Sequence, residues 1–334
     1  MQRVLVVGVG AMGWNHVRVC SEVGVLCGIC DQDGAEVERV SEEFGVPGFN
    51  DLDEAISELQ PDGAIIATPT FTHFEIASKI IDAEINLLIE KPISDDVDKA
   101  TELVHKAKEK GLVLGVGHIE RHNPVISEAK RRIGKGEWGE VVTISTRRVS
   151  NFPGRIRDVG VVLDLGIHDI DNATYLMGSN PISVFATGGS LNEIDYEDHA
   201  TLMIGFQNGN NAVIEVNWIT PMKVRSVSLT CEHAFVELDY MKQDISVSSS
   251  VFTEPNNPNQ FPANIEIEKK SIAVNRDEPL KLEILDFLRA ISDSENSGTA
   301  PPLVDGEQAI TALRVAVAAL ESIETGKVVS IEQP

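Results

Sequence analysis

The sequence predicts an α/β protein: an N-terminal Rossmann-type, doubly wound parallel sheet, then an α+β domain on a mainly antiparallel open sheet. Three observations carry this. Short apolar runs alternate with amphipathic stretches over residues 1–120. A glycine-rich turn, "GVGAMG", directly follows the first run. After residue 140 the runs lengthen into β-rich stretches.

Taken in order, "RVLVVG", "VGVLCGICD", "DGAIIAT", "INLLIE" and "LVLGVG" read as strands. Helical patterns such as "DQDGAEVERVSEEFG" and "DDVDKATELVHKAKEKG" lie between them. Alternating β and α predicts a parallel sheet with helices on both faces. The second of these helices is expected to start after Ser94 as N-cap, with Asp95 and Asp96 in its first turn, and to stop at Gly111. "EVVTISTRRVS", "ISVFATGG", "HATLMIGFQNGNNAVIEVNWIT" and "VRSVSLTCEHAFVELDY" then read as strands, with "QNGNN" as a hairpin turn. "TEPNNPNQFP" reads as an exposed loop and "DSENSGTAPP" as a mobile connection between two closing helices. The expected domains are 1–120 and 121–334, with the closing helices as candidates to pack back on the first.

The 334 residues suffice for two domains, and 42% hydrophobic content allows proper cores. A net charge of −24 argues against nucleic acid or an anionic membrane as partner. No apolar run is long enough to span a bilayer, and the N-terminus lacks the pattern of a signal peptide. A cytoplasmic protein is expected. Cys27 and Cys30 form a CxxC on a strand, where residues three apart point to opposite faces and chelate poorly. With Cys20 and Cys231 they read as reduced thiols.

The glycine-rich turn places Gly8, Gly10 and Gly13 in a G-x-G-x-x-G pattern, with Ala11 and Met12 inside it. Such a turn lets the backbone approach a pyrophosphate and receives its charge at a helix N-terminus. Alone the pattern is weak. Between a strand and a helix at the start of a βαβ unit, it stands where a dinucleotide fingerprint requires it. Asp31 ends the second strand, about 20 residues further on. A carboxylate there accepts hydrogen bonds from a ribose 2′-hydroxyl and repels a 2′-phosphate, so NAD is the expected cofactor.

At "TPTFTHFEIA", "EKP", "GHIERHNP" and "DLGIHDID" the chain resembles the glucose–fructose oxidoreductase and inositol dehydrogenase family (Gfo/Idh/MocA) over nearly its whole length. The resemblance implies a nicotinamide dinucleotide on the N-terminal domain and a sugar-like substrate held against the C-terminal sheet. It makes Thr68, Pro69, Thr70, His73, Glu90 and Lys91 candidates for cofactor binding, and Glu120, Arg121 and Asn123 candidates to border the nicotinamide. "NFPGRIRDVGVVLDLGIHDID" looks most like the sugar-nucleotide branch, the UDP-N-acetylglucosamine 3-dehydrogenases.

Oxidising a secondary alcohol requires hydride transfer and loss of the hydroxyl proton. Histidine serves as a base near pH 7, and the developing alkoxide needs a cation. Lys91 follows a strand at its carboxyl end, where open α/β sheets bind ligands. The competing reading is an ordinary surface charge. Asp164 and His168 are four apart and share a helical face, with Asp171 one turn further. His168 is the candidate proton acceptor, and Asp164 orients the substrate or the base. The competing reading is an N-capping aspartate beside a solvated histidine. The resemblance selects His168 and Lys91 as the catalytic pair.

His118 and His122 lack the zincin order, and no metal is expected. No tyrosine is followed four residues later by lysine, which removes a short-chain dehydrogenase, and no Ser or Cys elbow supports a hydrolase.

Arg147, Arg148, Arg155 and Arg157 concentrate basic charge in an acidic chain. Guanidinium forks match phosphate oxygens, so Arg148, Arg155 and Arg157 join Lys91, Asp164 and His168 as candidates to bind a nucleotide-sugar diphosphate. Cross-strand ion pairs with nearby acids are the competing reading.

The expected function is NAD-dependent oxidation of a secondary hydroxyl on a UDP-sugar, UDP-N-acetylglucosamine or a relative. A myo-inositol or free-sugar dehydrogenase is the alternative, and would leave the arginines without a phosphate. A non-catalytic dinucleotide-binding sensor is the alternative of another class, but a sensor needs no proton acceptor. Strands between Thr201 and Tyr240 carry apolar residues on both faces, which predicts a homodimer or homotetramer formed through the C-terminal sheets.

Overall fold

A computed structural model describes residues 2–152, 159–192, 195–253, 264–297 and 301–332. The chain divides into two compact units, one of Met1–His122 with Glu278–Leu313 and one of Asn123–Asp277 with Arg314–Pro334. The first unit therefore takes in residues 278–313, beyond the expected 1–120.

In the first unit β1 (Val4–Val7), α1 (Ala11–Glu22), β2 (Leu26–Cys30), α2 (Gly34–Phe44), β3 (Gly48–Phe49) and α3 (Leu52–Leu59) form one half. β4 (Gly63–Ile66), α4 (His73–Asp82), β5 (Asn86–Glu90), α5 (Val97–Glu109) and β6 (Leu114–Gly117) form the other. The strands run parallel in the order β3-β2-β1-β4-β5-β6, so the order reverses between β1 and β4. β1, β4 and β6 bury every residue, as a parallel sheet covered on both faces requires. Asp33, Asp51 and Asp96 cap α2, α3 and α5 with their carboxylates. Asp96 thus takes the role expected of Ser94, because its carboxylate reaches the amides of Asp98 and Lys99. Ile284, Phe287 and Ile291 of a later helix close this core against Val4, Val6 and Val17.

The second unit contains α6 (Pro124–Gly134), β7 (Val141–Asn151), α7 (Ile167–Met177), β8 (Pro181–Gly189), β9 (His199–Phe206) and β10 (Asn211–Asn217). It continues through β11 (Ile219–Cys231), β12 (Phe235–Asp239), β13 (Asp244–Thr253) and β14 (Asn264–Ile272). The helix that closes the first core is α8 (Pro279–Ser297). α9 (Gly306–Thr325) crosses the boundary between the units, and β15 (Val329–Ser330) ends the second sheet.

That sheet has nine strands in the order β14-β13-β12-β11-β7-β10-β9-β8-β15. Among the described residues only the β7–β10 pair of this sheet is parallel. The "QNGNN" turn joins β9 to β10, with Gly209 at φ 86°. β13 and β14 flank the stretch that the sequence shows only as a loop; residues 254–262 of it lie outside the described residues, as do 298–300 of "DSENSGTAPP". Helix α7 packs against β7 and β10. Val142, Phe185, Met203 and Phe235 are exposed on the sheet. Among the described residues no helix is long and apolar enough to cross a membrane.

Candidate functional site

The carboxyl ends of β1, β2 and β4 open onto a cleft of about 610 Å³ in the first unit, lined by Gly8, Gly10, Asp31, Asn50, Thr68 and Pro69 among others. Gly8 has φ 85°, a left-handed conformation that favours glycine. A Cβ on Gly13 would fall 1.8 Å from the Gly8 carbonyl oxygen, so only glycine lets α1 approach the loop. Gly10 ends the loop without a side-chain cap, which leaves the first-turn amides of α1 for an anion.

Asp31 is held rigidly. Its Oδ2 accepts from the Val9 amide at 2.7 Å and its Oδ1 from the Asp33 amide at 2.9 Å. Each oxygen keeps acceptor capacity for a ribose hydroxyl. These features fit a dinucleotide, with the pyrophosphate at Gly10–Gly13 and the ribose at Asp31.

A further loop, residues 67–72, lines the cleft, and His73 joins it to the loop that follows β5. Its Nδ1 lies 2.9 Å from the Pro92 carbonyl oxygen and its Nε2 2.9 Å from that of Thr68. Burial holds the His73 pKa below its usual value, against the two carbonyls, which favour the cation. A neutral ring donates only one of these bonds. Thr72 secures the same loop by donating to the Pro69 carbonyl at 2.7 Å. Thr70 starts the short turn leading into α4.

Lys91 follows β5 and is half-buried. The Glu90 carboxyl beside it is buried, with one oxygen 2.9 Å from His16 and the other accepting from the Lys91 amide at 3.1 Å. Arg121 and Asn123, the candidates for the nicotinamide border, are both buried. Arg121 is buried in the first unit and donates to Gln308 at 2.9 Å. Asn123 is buried in the second unit, where it caps α6 and donates to the Tyr240 carbonyl at 3.4 Å. Glu120 is buried as well.

In the second unit one π-helical turn, Val162–Gly166, leads into α7. Such turns are frequent at functional sites. Asp164 and His168 are both half-exposed, while Leu165, Gly166 and Ile167 between them are buried. Asp171 does not share their face; it points into the interior at 1% exposure. The first turn is held by Glu197, whose Oε1 accepts from the Val162 amide at 2.9 Å and whose carbonyl accepts from the Val161 amide at 2.9 Å. Burial pushes the Glu197 carboxyl up.

The expected arginine cluster separates. Arg148 is 1% exposed, and its Nε and Nη2 donate to Asp169 Oδ1 at 3.1 and 3.0 Å. Its guanidinium lies 5.3 Å from the centre of the Tyr240 ring, whose hydroxyl accepts from Asn172 at 2.9 Å. Arg148 is therefore a buried ion-pair partner and not a surface ligand for phosphate. Arg147 pairs across the β7–β10 ladder with Glu215 at 3.1 Å. Arg155 and Arg157 lie outside the described residues.

His16, Asp169 and Glu197 escaped the sequence reading. His16 was findable: with Gly13, Val17 and Cys20 it forms the inward stripe of α1 at helical spacing, so a polar residue sits on a buried face. Glu197 lies too far along the chain from Val162 for any local pattern to join them.

Comparison with known proteins agrees with both halves. Residues 2–118 match the family model described as "Oxidoreductase family, NAD-binding Rossmann fold", and residues 126–237 match the Gfo/Idh/MocA C-terminal domain. UDP-N-acetylglucosamine 3-dehydrogenase of Acidithiobacillus ferrooxidans is 29% identical over 96% of this chain and 95% of its own. A solved structure of that enzyme, GnnA, superposes with a TM-score of 0.85 at 27% identity, covering 97% of both chains. A scyllo-inositol 2-dehydrogenase (NAD⁺) of Bacillus subtilis is 31% identical over 66% of this chain and 68% of its own. The chain belongs to the Gfo/Idh/MocA family of oxidoreductases and carries that family's NAD-binding Rossmann domain.

Proposed function

We propose that this protein is an NAD-dependent dehydrogenase that oxidises a secondary hydroxyl of a sugar nucleotide, UDP-N-acetylglucosamine at its 3-hydroxyl or a related UDP-sugar. The observation that carries this reading is the extent of the match: the similarity to a UDP-N-acetylglucosamine 3-dehydrogenase runs over 96% of the chain, that to the scyllo-inositol enzyme over 66%. NAD, when bound, supplies the hydride acceptor. The chain's own residues do the rest. Gly8, Gly10 and Gly13 admit the pyrophosphate, and Asp31 selects an unphosphorylated ribose. His168, on the half-exposed face of the π turn and α7, takes the hydroxyl proton, and Asp164 on the same face orients the sugar. Lys91 offsets the negative charge developing on the oxygen.

A second reading, oxidation of an inositol or free sugar, is favoured by the fate of two arginines. Arg147 and Arg148 are engaged by Glu215 and Asp169, which leaves Arg155 and Arg157 as the cluster's candidates for a diphosphate. A screen of NAD⁺ reduction against UDP-sugars and free polyols decides between the two. Turnover of UDP-N-acetylglucosamine that falls in Arg155→Ala or Arg157→Ala through KM supports the first; a neutral polyol as best substrate, with both variants unchanged, supports the second.

The exposed Val142, Phe185, Met203 and Phe235 favour a homodimer or homotetramer joined through this sheet. A monomeric mass by light scattering at micromolar concentration would refute that assembly.

A further inference from the structure

Behind Lys91 the first unit buries three ionisable side chains that the proposed chemistry does not use directly. His16 on α1 is 0% exposed, Glu90 at the end of β5 is 8% exposed, and Glu283 on α8 is 2% exposed. Burying such groups is costly unless they are paired. Glu90 is the centre of the set. One of its oxygens faces His16 Nε2 at 2.9 Å and the other accepts from the Lys91 amide at 3.1 Å. Gly117, at the end of β6, leaves the room for this carboxyl: a Cβ there would come within 3.1 Å of it.

We propose that His16 and Glu90 are positioning residues that tie the backbone of Lys91 to the dinucleotide-binding helix. This rests on the reading of Lys91 as the assisting cation. The connection is continuous. α1 begins at the glycine loop that receives the pyrophosphate, His16 stands on its inward side, Glu90 spans from His16 to the Lys91 amide, and Lys91 carries the charge. A shift of α1 relative to β5 therefore displaces Lys91 with respect to the cofactor.

The charge states agree with this geometry. Burial raises the Glu90 pKa, but the bond and charge of His16 and the nearby Lys91 outweigh it and hold Glu90 below the usual carboxylate range. Burial and then the charges of Glu90 and Asp286 hold Glu283 well above it. Of the two carboxyls, Glu90, which accepts from the Lys91 amide, is thus the one held toward its charged form.

The test measures kcat and KM with UDP-N-acetylglucosamine, and Kd for NAD by fluorescence titration, in wild type, His16→Leu, His16→Gln and Lys91→Ala. Misplacing a reacting group by about 1 Å costs about a hundredfold in rate. His16→Leu is expected to lower kcat by roughly ten- to a hundredfold, with KM and the NAD Kd within about threefold of wild type. His16→Gln, whose amide nitrogen can still donate to Glu90, is expected to recover most of the loss. A wild-type kcat in His16→Leu overturns the inference, and so does His16→Gln failing as badly as leucine. If the His16 variants do not fold, Glu90→Gln is read the same way, since an amide cannot accept from both donors through separate oxygens; wild-type kcat in it overturns the inference. Full activity in Lys91→Ala defeats the reading of Lys91 itself, a result distinguishable from the failure of His16 to act through it.

Discussion

Two neighbouring arginines on β7 provide an internally controlled test of the packing argument. Arg148 and Asp169 are each 1% exposed, joined by two hydrogen bonds of 3.1 and 3.0 Å, whereas the side chains of Arg147 and Glu215 are 53% and 41% exposed at 3.1 Å. Asp169→Asn keeps the shape but removes the charge that both Arg148 donors reach. Breaking a buried pair in this way costs about 3–5 kcal/mol. For a unit of this size each kcal/mol moves Tm by about 2–4 °C, so a fall of roughly 6–20 °C is expected. Glu215→Gln, at a solvent-screened pair, should cost at most about 1 kcal/mol and move Tm by a few degrees. Replacing both buried partners together, Arg148→Met with Asp169→Leu, should recover much of the loss, because no charge is then left without its partner. Differential scanning calorimetry follows the transitions, with NAD affinity as a control on the first unit. If Asp169→Asn melts within about 2 °C of wild type, or no lower than Glu215→Gln, burial does not make the Arg148–Asp169 pair the costlier one to break.

Asp31 should impose a preference for NAD over NADP in kcat/KM, and Asp31→Ala should narrow it; equal values for both cofactors in the unmodified protein would refute the role. His168→Ala and Lys91→Ala should each lose about 10²–10⁴ in turnover while still binding NAD, and a His168→Ala enzyme retaining more than about a tenth of kcat would need another base. Burial lowers the folded-state pKa of His73 from 6.5, so protonation favours unfolding. Its contribution to stability is complete above pH 6.5 and lost as pH falls from there toward the folded pKa. Denaturant titrations between pH 7.5 and pH 5 should therefore show a slope that flattens in His73→Asn; an unchanged slope counts against the burial argument.

The parts of the cofactor site legible in the sequence are those governed by a few neighbouring residues. The spacing of Gly8, Gly10 and Gly13 implies a close turn, and the structure supplies the contact that makes Gly13 obligatory, at 1.8 Å from the Gly8 oxygen. Asp31 is legible because β2 delivers it to the carboxyl end of the sheet. The alternation of β7 was also available: adjacent strand residues face opposite ways, so Arg147 and Arg148 could not have served one phosphate together.

What the sequence by itself determined is the class of fold and the cofactor loop, because strand and helix periodicity and turn sterics act over a few residues. Tertiary structure alone decided that Asp171 faces inward after a π turn, that Asp169 and not phosphate takes Arg148, that Glu197 holds the turn at Val162, and that α8 brings Glu283 to Glu90. These pairings join residues from separate stretches of chain, or turn on which side of a helix the core covers. A buried charge accepts whatever partner the packed core delivers to it, and no local pattern names that partner.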